Sequence, residues 1–122
     1  QMAIHTILIV DDSPTERYYL SEMLVRAGYA VLTAQDGADA LAQLKQARPD
    51  LILMDVVMPG ANGFQITRAI ARDPELQDVP VIICSSKSQE TDRIWGLRQG
   101  ARDYLVKPVV EAELLAKIAA IS

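Results

Sequence analysis

Five short apolar runs, separated by longer segments with a helical period, constrain the fold of this chain more than any other feature. The runs are rich in Val, Ile and Leu, as is typical of strands that are covered on both faces of a parallel sheet. In the segments between them, apolar residues return every three or four positions, which is typical of amphipathic helices. Because parallel strands need right-handed crossovers, we expect a three-layer, doubly wound (βα)5 fold with a central five-stranded parallel sheet. The predicted strands are residues 7–10, 30–34, 51–54, 81–84 and 104–106.

Helix-start signals precede the periodic segments. Ser13 is followed by Pro14 and Glu16, which combines an N-cap serine, a first-turn proline and a capping-box glutamate. Asn62 and Gln65 repeat the capping-box spacing. Polar residues before the other periodic segments lead to similar predictions. The full set of predicted helix starts is Ser13, Asp36, Asn62, Ser88 and Glu111.

The fourth predicted helix carries the only tryptophan, Trp95. Ile94 and Leu97 are three positions apart and are predicted to face the core, whereas Trp95 is rotated about 100° from Ile94 and is predicted to be partly exposed. Aromatic and arginine side chains are enriched at protein interfaces. We therefore hypothesise that Trp95, Arg98 and residues near Tyr104 form a partner-docking patch, with ordinary packing of Trp95 as the alternative.

Composition excludes several classes of protein. The 122 residues suit one domain, and we expect a single domain over residues 3–122 without an output domain. The 12 basic and 16 acidic residues give a net charge of −4, and the basic residues are scattered, which predicts no nucleic-acid partner. No apolar run approaches the roughly 18 residues of a membrane span, so we expect no membrane partner. Cys84 is the only cysteine and lies in an apolar run, which fits a reducing, cytoplasmic setting.

Sharply polar side chains follow the predicted strands at their carboxyl ends. Asp11 and Asp12 follow the first strand, and Asp55 follows the third. Ser85 follows the fourth strand and Lys107 the fifth. In open α/β sheets ligands bind at this edge, in the crevice where the winding reverses. We therefore expect these five chain-distant side chains to converge.

Three converging carboxylates repel one another and need either protonation or a cation. Oxygen ligands from Asp12 and Asp55 suit Mg²⁺, and Lys107 would add positive charge. A metal and a lysine beside a carboxylate also meet the needs of an incoming phosphoryl group, with Asp55 as the nucleophile that forms an acyl phosphate. Taken singly, Asp11 and Asp12 are equally explained as a loop-capping pair, and Lys107 as a solvated lysine.

Several motifs together resemble one family. Residues 7–12 read ILIVDD, residues 53–60 read LMDVVMPG, Ser85 ends the fourth apolar run, and residues 104–108 read YLVKP. In order and spacing these resemble the receiver domain of bacterial two-component response regulators, a CheY-like domain, over essentially the whole chain. The resemblance implies a flavodoxin-like strand order of 2-1-3-4-5. Residues 11–16 and 95–105 further resemble single-domain twitching-motility regulators of the PilH-like group.

The resemblance also implies roles for individual residues and partners. A sensor histidine kinase or a phosphotransfer protein would supply the phosphoryl group, an unidentified downstream protein would bind the switched form, and the chain would be a monomer or a weak dimer. The expected cofactor is Mg²⁺. By position, the implied roles are phosphoacceptor for Asp55, metal ligand for Asp12 and Asp55, water-mediated metal contact for Asp11, backbone carbonyl ligand for Val57, phosphoryl contacts for Ser85 and Lys107, and aromatic switch for Tyr104.

Two other functions compete with a phosphorylation-controlled signalling switch that is not otherwise an enzyme. A receiver-like scaffold that signals without phosphorylation is compatible with the same fold. A Mg²⁺-dependent aspartyl phosphohydrolase of the haloacid-dehalogenase kind would need a second acid two residues after Asp55, where this chain has Val57. Nucleotide binding is disfavoured because neither G-x-x-x-x-G-K-[ST] nor G-x-G-x-x-G occurs.

Overall fold

The structure is a computed structural model and describes residues 3–122. Five parallel strands form one sheet in the order β2-β1-β3-β4-β5, as the resemblance implied. The expected doubly wound α/β fold is confirmed. The strands are β1 (Thr6–Val10), β2 (Ala30–Ala34), β3 (Leu51–Met54), β4 (Val81–Ser85) and β5 (Asp103–Val106).

A helix follows each strand, and the helices cover both faces of the sheet. Leu20 and Leu24 of the first helix and Leu114 and Ile118 of the last pack into one apolar cluster. Side chains of the second and third helices pack into the other cluster, with Ile70 among them. The helices are α1 (Pro14–Arg26), α2 (Gly37–Leu44), α3 (Gly63–Arg72), α4 (Glu90–Arg98) and α5 (Glu111–Ile121). No helix within residues 3–122 is long and apolar enough to cross a membrane.

Alternate residues of each central strand enter opposite layers of the core. Ile9 and Leu53 pack toward α1 and α5, whereas Val10 and Met54 pack toward α2 and α3. This alternation follows from the two-residue period of a strand, and it explains why the runs are apolar without interruption. Cys84 belongs to the same buried set, and burial raises the pKa of its thiol to about 12. The cysteine is therefore a packed apolar residue of the core.

Most of the predicted helix starts are confirmed. Ser13 accepts a hydrogen bond from the backbone of Glu16, and Asn62 and Gln65 form a reciprocal capping box. Asp36 also caps its helix, through the backbone of Asp39.

The predicted cap at Ser88 is wrong. The N-cap of α4 is Gln89, whose backbone nitrogen donates to the carboxylate of Asp92, and the helix begins at Glu90. The carboxylate of Asp92, in the first turn, therefore accepts from the backbone N–H of Gln89 at the start of the helix. The hydroxyl of Ser88, which the sequence pattern suggested as the cap, is not part of this contact.

The predicted inner face of α4 is also wrong at Ile94, which is 39% exposed. The residue of α4 that is buried is Gly96, whose Cα approaches Ile83, Tyr104 and Phe64 so closely that a Cβ would press against all three side chains. Since successive residues are rotated by about 100°, a helix that faces the sheet with Gly96 turns Ile94 about 200° away. Trp95 is 49% exposed, as predicted.

The caps generate a stability prediction. Asn62→Ala should lower the free energy of unfolding by about 1 kcal/mol, because it removes the side-chain acceptor of the α3 capping box. Ser88→Ala is the matched control and should change it by less than about 0.5 kcal/mol, because Ser88 is exposed and does not cap α4. Urea unfolding followed by far-ultraviolet circular dichroism measures both. Equal losses in the two variants would contradict the helix start described above.

Candidate functional site

Backbone hydrogen bonds at the carboxyl edge of the sheet carry three polar residues to neighbouring positions. Asp11 N donates to Ala34 O, and Asp55 N donates to Val10 O, at 3.1 and 2.9 Å. Lys107 N donates to the Ser85 carbonyl at 2.8 Å. Each bond continues the strand pairing just beyond the end of a strand. The positions of these side chains are therefore fixed by the sheet itself rather than by flexible loops.

Lys107 joins two buried carboxylates. Its Nζ lies 2.7 Å from Asp11 Oδ2 and 3.0 Å from Asp55 Oδ1. Asp11 and Asp55 are only 2% and 8% exposed, so both charges are largely removed from water. Buried carboxylates are tolerated when they are paired and hydrogen-bonded, and the lysine supplies both kinds of contact. The predicted convergence of these three residues is confirmed by the geometry.

Burial and the contacts between these side chains shift the pKa values of Asp55 and Lys107. Burial raises the pKa of the Asp55 carboxyl above its ordinary value, and the charge of Asp11 raises it further, while the hydrogen bond from Lys107 opposes both. Burial by itself lowers the pKa of Lys107, but its bonds to Asp11 and Asp55 outweigh that effect and leave the pKa above its ordinary value. The lysine is therefore a fixed positive charge near neutral pH.

Asp12 completes a cluster that can hold a metal ion. One carboxylate oxygen from each of Asp11, Asp12 and Asp55 lies within 4.8 Å of the others. Asp12 is exposed, unlike the other two. Asp11 already accepts from Lys107 with one oxygen and from the backbone of Ser13 with the other. This all-oxygen donor set fits a hard divalent ion such as Mg²⁺, with Asp12 and Asp55 offering the freer oxygens.

Ser85 is connected to Tyr104 through the backbone of one residue. The Ser85 hydroxyl is fully buried and accepts from Lys87 N at 3.1 Å. The Tyr104 hydroxyl donates to Lys87 O at 2.7 Å, and the tyrosine ring is buried. Movement of Ser85 or of Lys87 would therefore disturb the hydrogen bond of Tyr104. Lys107 precedes Pro108 in a cis peptide bond, within the same edge of the sheet.

Two supporting residues were missed by the sequence reasoning. Arg17 Nη1 donates to Asp11 O at 2.8 Å and so holds the backbone beneath the acidic pair. Gly63 lies so close to the backbone of Asp55 that a Cβ would overlap its carbonyl group. Gly63 is the first residue of α3, three residues after the MPG segment, and a glycine at the start of a helix is the one sequence signal for this close approach.

The remaining predicted residues lie outside this cluster of contacts. Val57 follows two positions after Asp55 with its side chain 60% exposed, and the role predicted for its carbonyl stays a prediction. Trp95 and Arg98 lie on α4, both exposed, with Arg98 facing a cleft toward α3. The docking patch likewise stays a prediction.

Residues 7–119 match the family described as the response regulator receiver domain. The chain belongs to this family. It is 57% identical to Protein PilH of Pseudomonas aeruginosa, over 94% of this chain and 95% of that protein. It is 40% identical to the phosphate regulon transcriptional regulatory protein PhoB of the same organism, over 95% of this chain but only 51% of PhoB.

Solved structures agree with this assignment. The chemotaxis protein CheY4 of Vibrio cholerae superimposes with a TM-score of 0.90 at 34% identity, covering 98% of this chain and 100% of that one. CheY from a CheX–CheY–BeF3–Mg²⁺ complex of Borrelia burgdorferi superimposes with a TM-score of 0.90 at 27% identity, covering 96% of this chain and 88% of that one. This chain is therefore a CheY-like receiver domain of two-component signalling. Receiver domains are signalling switches that interact with histidine kinases or phosphotransfer proteins and with downstream targets.

The raised pKa of Asp55 generates a prediction with a definite sign. In the unfolded chain the carboxyl of Asp55 has a pKa near 3.8, and in the folded chain its pKa is higher. The folded protein therefore holds the proton to higher pH, and ionisation of Asp55 lowers the free energy of unfolding as the pH rises above 3.8. Asp55→Asn should therefore be more stable than the parent at pH 7 in metal-free buffer, by about 0.5–2 kcal/mol. The difference should disappear as pH falls to 3.8 and below. Urea unfolding across pH 3–8 measures it.

Asp50 provides a control, because its pKa is shifted in the opposite direction from that of Asp55. Backbone hydrogen bonds from Thr6 and His5 lower the pKa of its carboxyl, so its charge stabilises the fold above pH 3.8, and that contribution is lost as pH falls through the folded pKa. Asp50→Asn should thus be less stable than the parent at pH 7 and approach it in acid. If Asp55→Asn lost stability at pH 7 as Asp50→Asn does, electrostatic strain at the site would be ruled out.

Proposed function

We propose that Asp55 accepts a phosphoryl group from the phosphohistidine of a sensor histidine kinase or phosphotransfer protein. The observation that carries this proposal is the contact of one lysine with two buried carboxylates at the ligand-binding edge of a doubly wound sheet. A purely structural role would require neither the surplus of negative charge nor the raised pKa of Asp55. Perturbed ionisation in a crevice of this kind is typical of functional sites.

The chain's own residues supply most of what the transfer needs. An Asp55 carboxylate oxygen attacks phosphorus, a P–O bond forms, the P–N bond breaks, and the histidine ring leaves with the electron pair. Lys107 Nζ compensates charge on the transferred group. The Ser85 hydroxyl accepts from Lys87 and keeps its own hydrogen for donation, so it can bond a phosphoryl oxygen once that group is on Asp55.

Mg²⁺ is the cofactor of this proposal. Asp12 and Asp55 would ligate it directly, Asp11 through water, and Val57 through its backbone carbonyl. When bound, the ion neutralises the negative charge of the carboxylates and of the phosphoryl oxygens. Without it, Lys107 is the cation in direct contact with the carboxylates of Asp11 and Asp55.

The switch would be transmitted from Ser85 to the α4–β5 face. If Ser85 turns toward the phosphoryl group, Lys87 N loses its acceptor, and the bond from Tyr104 to Lys87 O is disturbed in turn. Trp95 and Arg98 on α4 would then present a remodelled docking patch to a downstream protein. We infer a cytoplasmic switch that catalyses only its own phosphorylation and dephosphorylation, and the similarity to PilH favours a role in type IV pilus signalling.

Phosphorylation by a small donor tests the proposal directly. Incubation with acetyl phosphate and Mg²⁺ should add one phosphoryl group to the parent chain, and beryllofluoride with Mg²⁺ should change the emission of Trp95. Asp55→Asn should show neither effect. Asp12→Ala should lower the phosphorylation rate by about 10–100-fold, because it removes a direct metal ligand. Intact-mass spectrometry and fluorescence provide the measurements.

Two outcomes would count against the proposal. No adduct and no spectral change in the parent chain would favour a scaffold that signals without phosphorylation. An adduct that persists unchanged in Asp55→Asn would assign the phosphoryl group to another residue. Circular dichroism of each variant confirms that the fold is kept, so that loss of phosphorylation is not loss of structure.

The docking patch makes a separate prediction. Trp95→Ala should change the free energy of unfolding by less than about 0.5 kcal/mol, since the side chain is half exposed. It should leave phosphorylation by acetyl phosphate intact but weaken binding of the beryllofluoride-activated chain to its output protein by at least about tenfold. Val25→Ala removes an apolar side chain of similar exposure from α1 and should leave that binding unchanged. Equal binding by Trp95→Ala and the parent chain would remove Trp95 from the patch.

A further inference from the structure

A cleft between the C-terminal halves of α3 and α4 gathers three arginines. Its volume is about 340 Å³, which lies within the range of small-molecule sites. The cleft contains no acidic side chain, and none of the ion pairs within residues 3–122 includes one of its arginines. This is a local surplus of positive charge on a chain whose net charge is −4. The lining residues are Arg68, Ala71, Arg72, Arg98, Gln99 and Gly100.

The arrangement of the cleft is built into the fold. Gly100 has a φ of +109°, and a Cβ there would meet the Ala71 side chain at 2.7 Å, so only small residues allow α3 and α4 to approach this closely. The Gln99 side chain is 6% exposed, and its Oε1 accepts from Arg68 Nη1 at 3.4 Å. A buried amide oxygen thus lies within hydrogen-bonding distance of one guanidinium of the cleft.

The arginines are held together at an electrostatic cost. Arg68 and Arg72 are four residues apart and lie on the same side of α3, where like charges repel. Arg98, at the end of α4, adds a third positive charge to the same cleft. The C-terminal ends of the helices favour positive charge only modestly. A bound anion would relieve this repulsion and connect the two helices.

We propose that this cleft binds a small ligand with two or more phosphate groups. Guanidinium groups present paired donors that match phosphate oxygens, and charge-assisted hydrogen bonds of this kind are among the strongest in proteins. A carboxylate carries a single charge, whereas adjacent phosphates concentrate several charges in the space that three arginines share. Free diphosphate and a nucleoside diphosphate offer the same chemistry, and binding would tie α3 to α4 independently of phosphorylation at Asp55.

Equilibrium dialysis with radiolabelled pyrophosphate, in metal-free buffer at constant ionic strength, tests the site. We expect saturable binding of one pyrophosphate per chain, weakened at least about tenfold by Arg68→Gln and by Arg98→Gln. Arg48→Gln removes the same charge from an exposed arginine outside the cleft and should alter affinity by less than about twofold. Asp55→Asn should leave the affinity unchanged, which separates this cleft from the phosphorylation site.

Competing probes identify the source of the phosphates. Displacement of pyrophosphate by adenosine diphosphate at lower concentration than by unlabelled pyrophosphate would support a nucleotide ligand, and the reverse would support free diphosphate. The proposal is overturned if binding does not saturate, if Arg48→Gln weakens it as much as the cleft variants, or if citrate, which carries only carboxylates, binds as tightly.

Discussion

The bridge from Lys107 to two buried carboxylates is the interaction on which the rest of this site depends. Asp11 and Asp55 lie side by side because their strands are paired, and without a cation their charges would repel in a setting that water reaches poorly. Lys107 offsets part of that repulsion, but burial, with a smaller contribution from the charge of Asp11, still holds the pKa of Asp55 above its ordinary value. The residual negative charge suits a divalent cation, which would in turn compensate negative charge on an incoming phosphoryl group.

The doubly wound sheet explains how residues so far apart in the chain meet. β1 lies between β2 and β3, so the winding direction reverses beside β1, and the carboxyl ends of β1 and β3 border the resulting crevice. Because both faces of the central strands are covered by helices, polar side chains are tolerated only where these strands end. The close contact of Gly63 with the Asp55 backbone then limits how far Asp55 can move.

Much of the fold and of the acidic edge follows from local sequence signals. The strands were recognisable because both-face burial leaves continuous apolar runs, and the caps at Ser13, Asp36 and Asn62 because their hydrogen bonds are local. α4 was predicted least well, since its buried position is a glycine, which gives no apolar signal, and Ile94 was assigned to the core in its place. Contacts such as those of Lys87 and Gly63 are made by backbone atoms and depend on tertiary packing, which no residue pattern encodes.

The weak burial of α4 also has a physical consequence for signalling. α3 buries Phe64, Ile66 and Ile70, whereas α4 buries only Gly96 and so has few apolar contacts to hold it against the sheet. Segments with little buried apolar surface move at lower free-energy cost than the core. α4 is also the helix that begins after Lys87, packs Gly96 against Tyr104 and carries Arg98 at its end. A displacement at Ser85 would therefore reach, through Lys87 and Tyr104, the helix of this fold with the fewest buried residues.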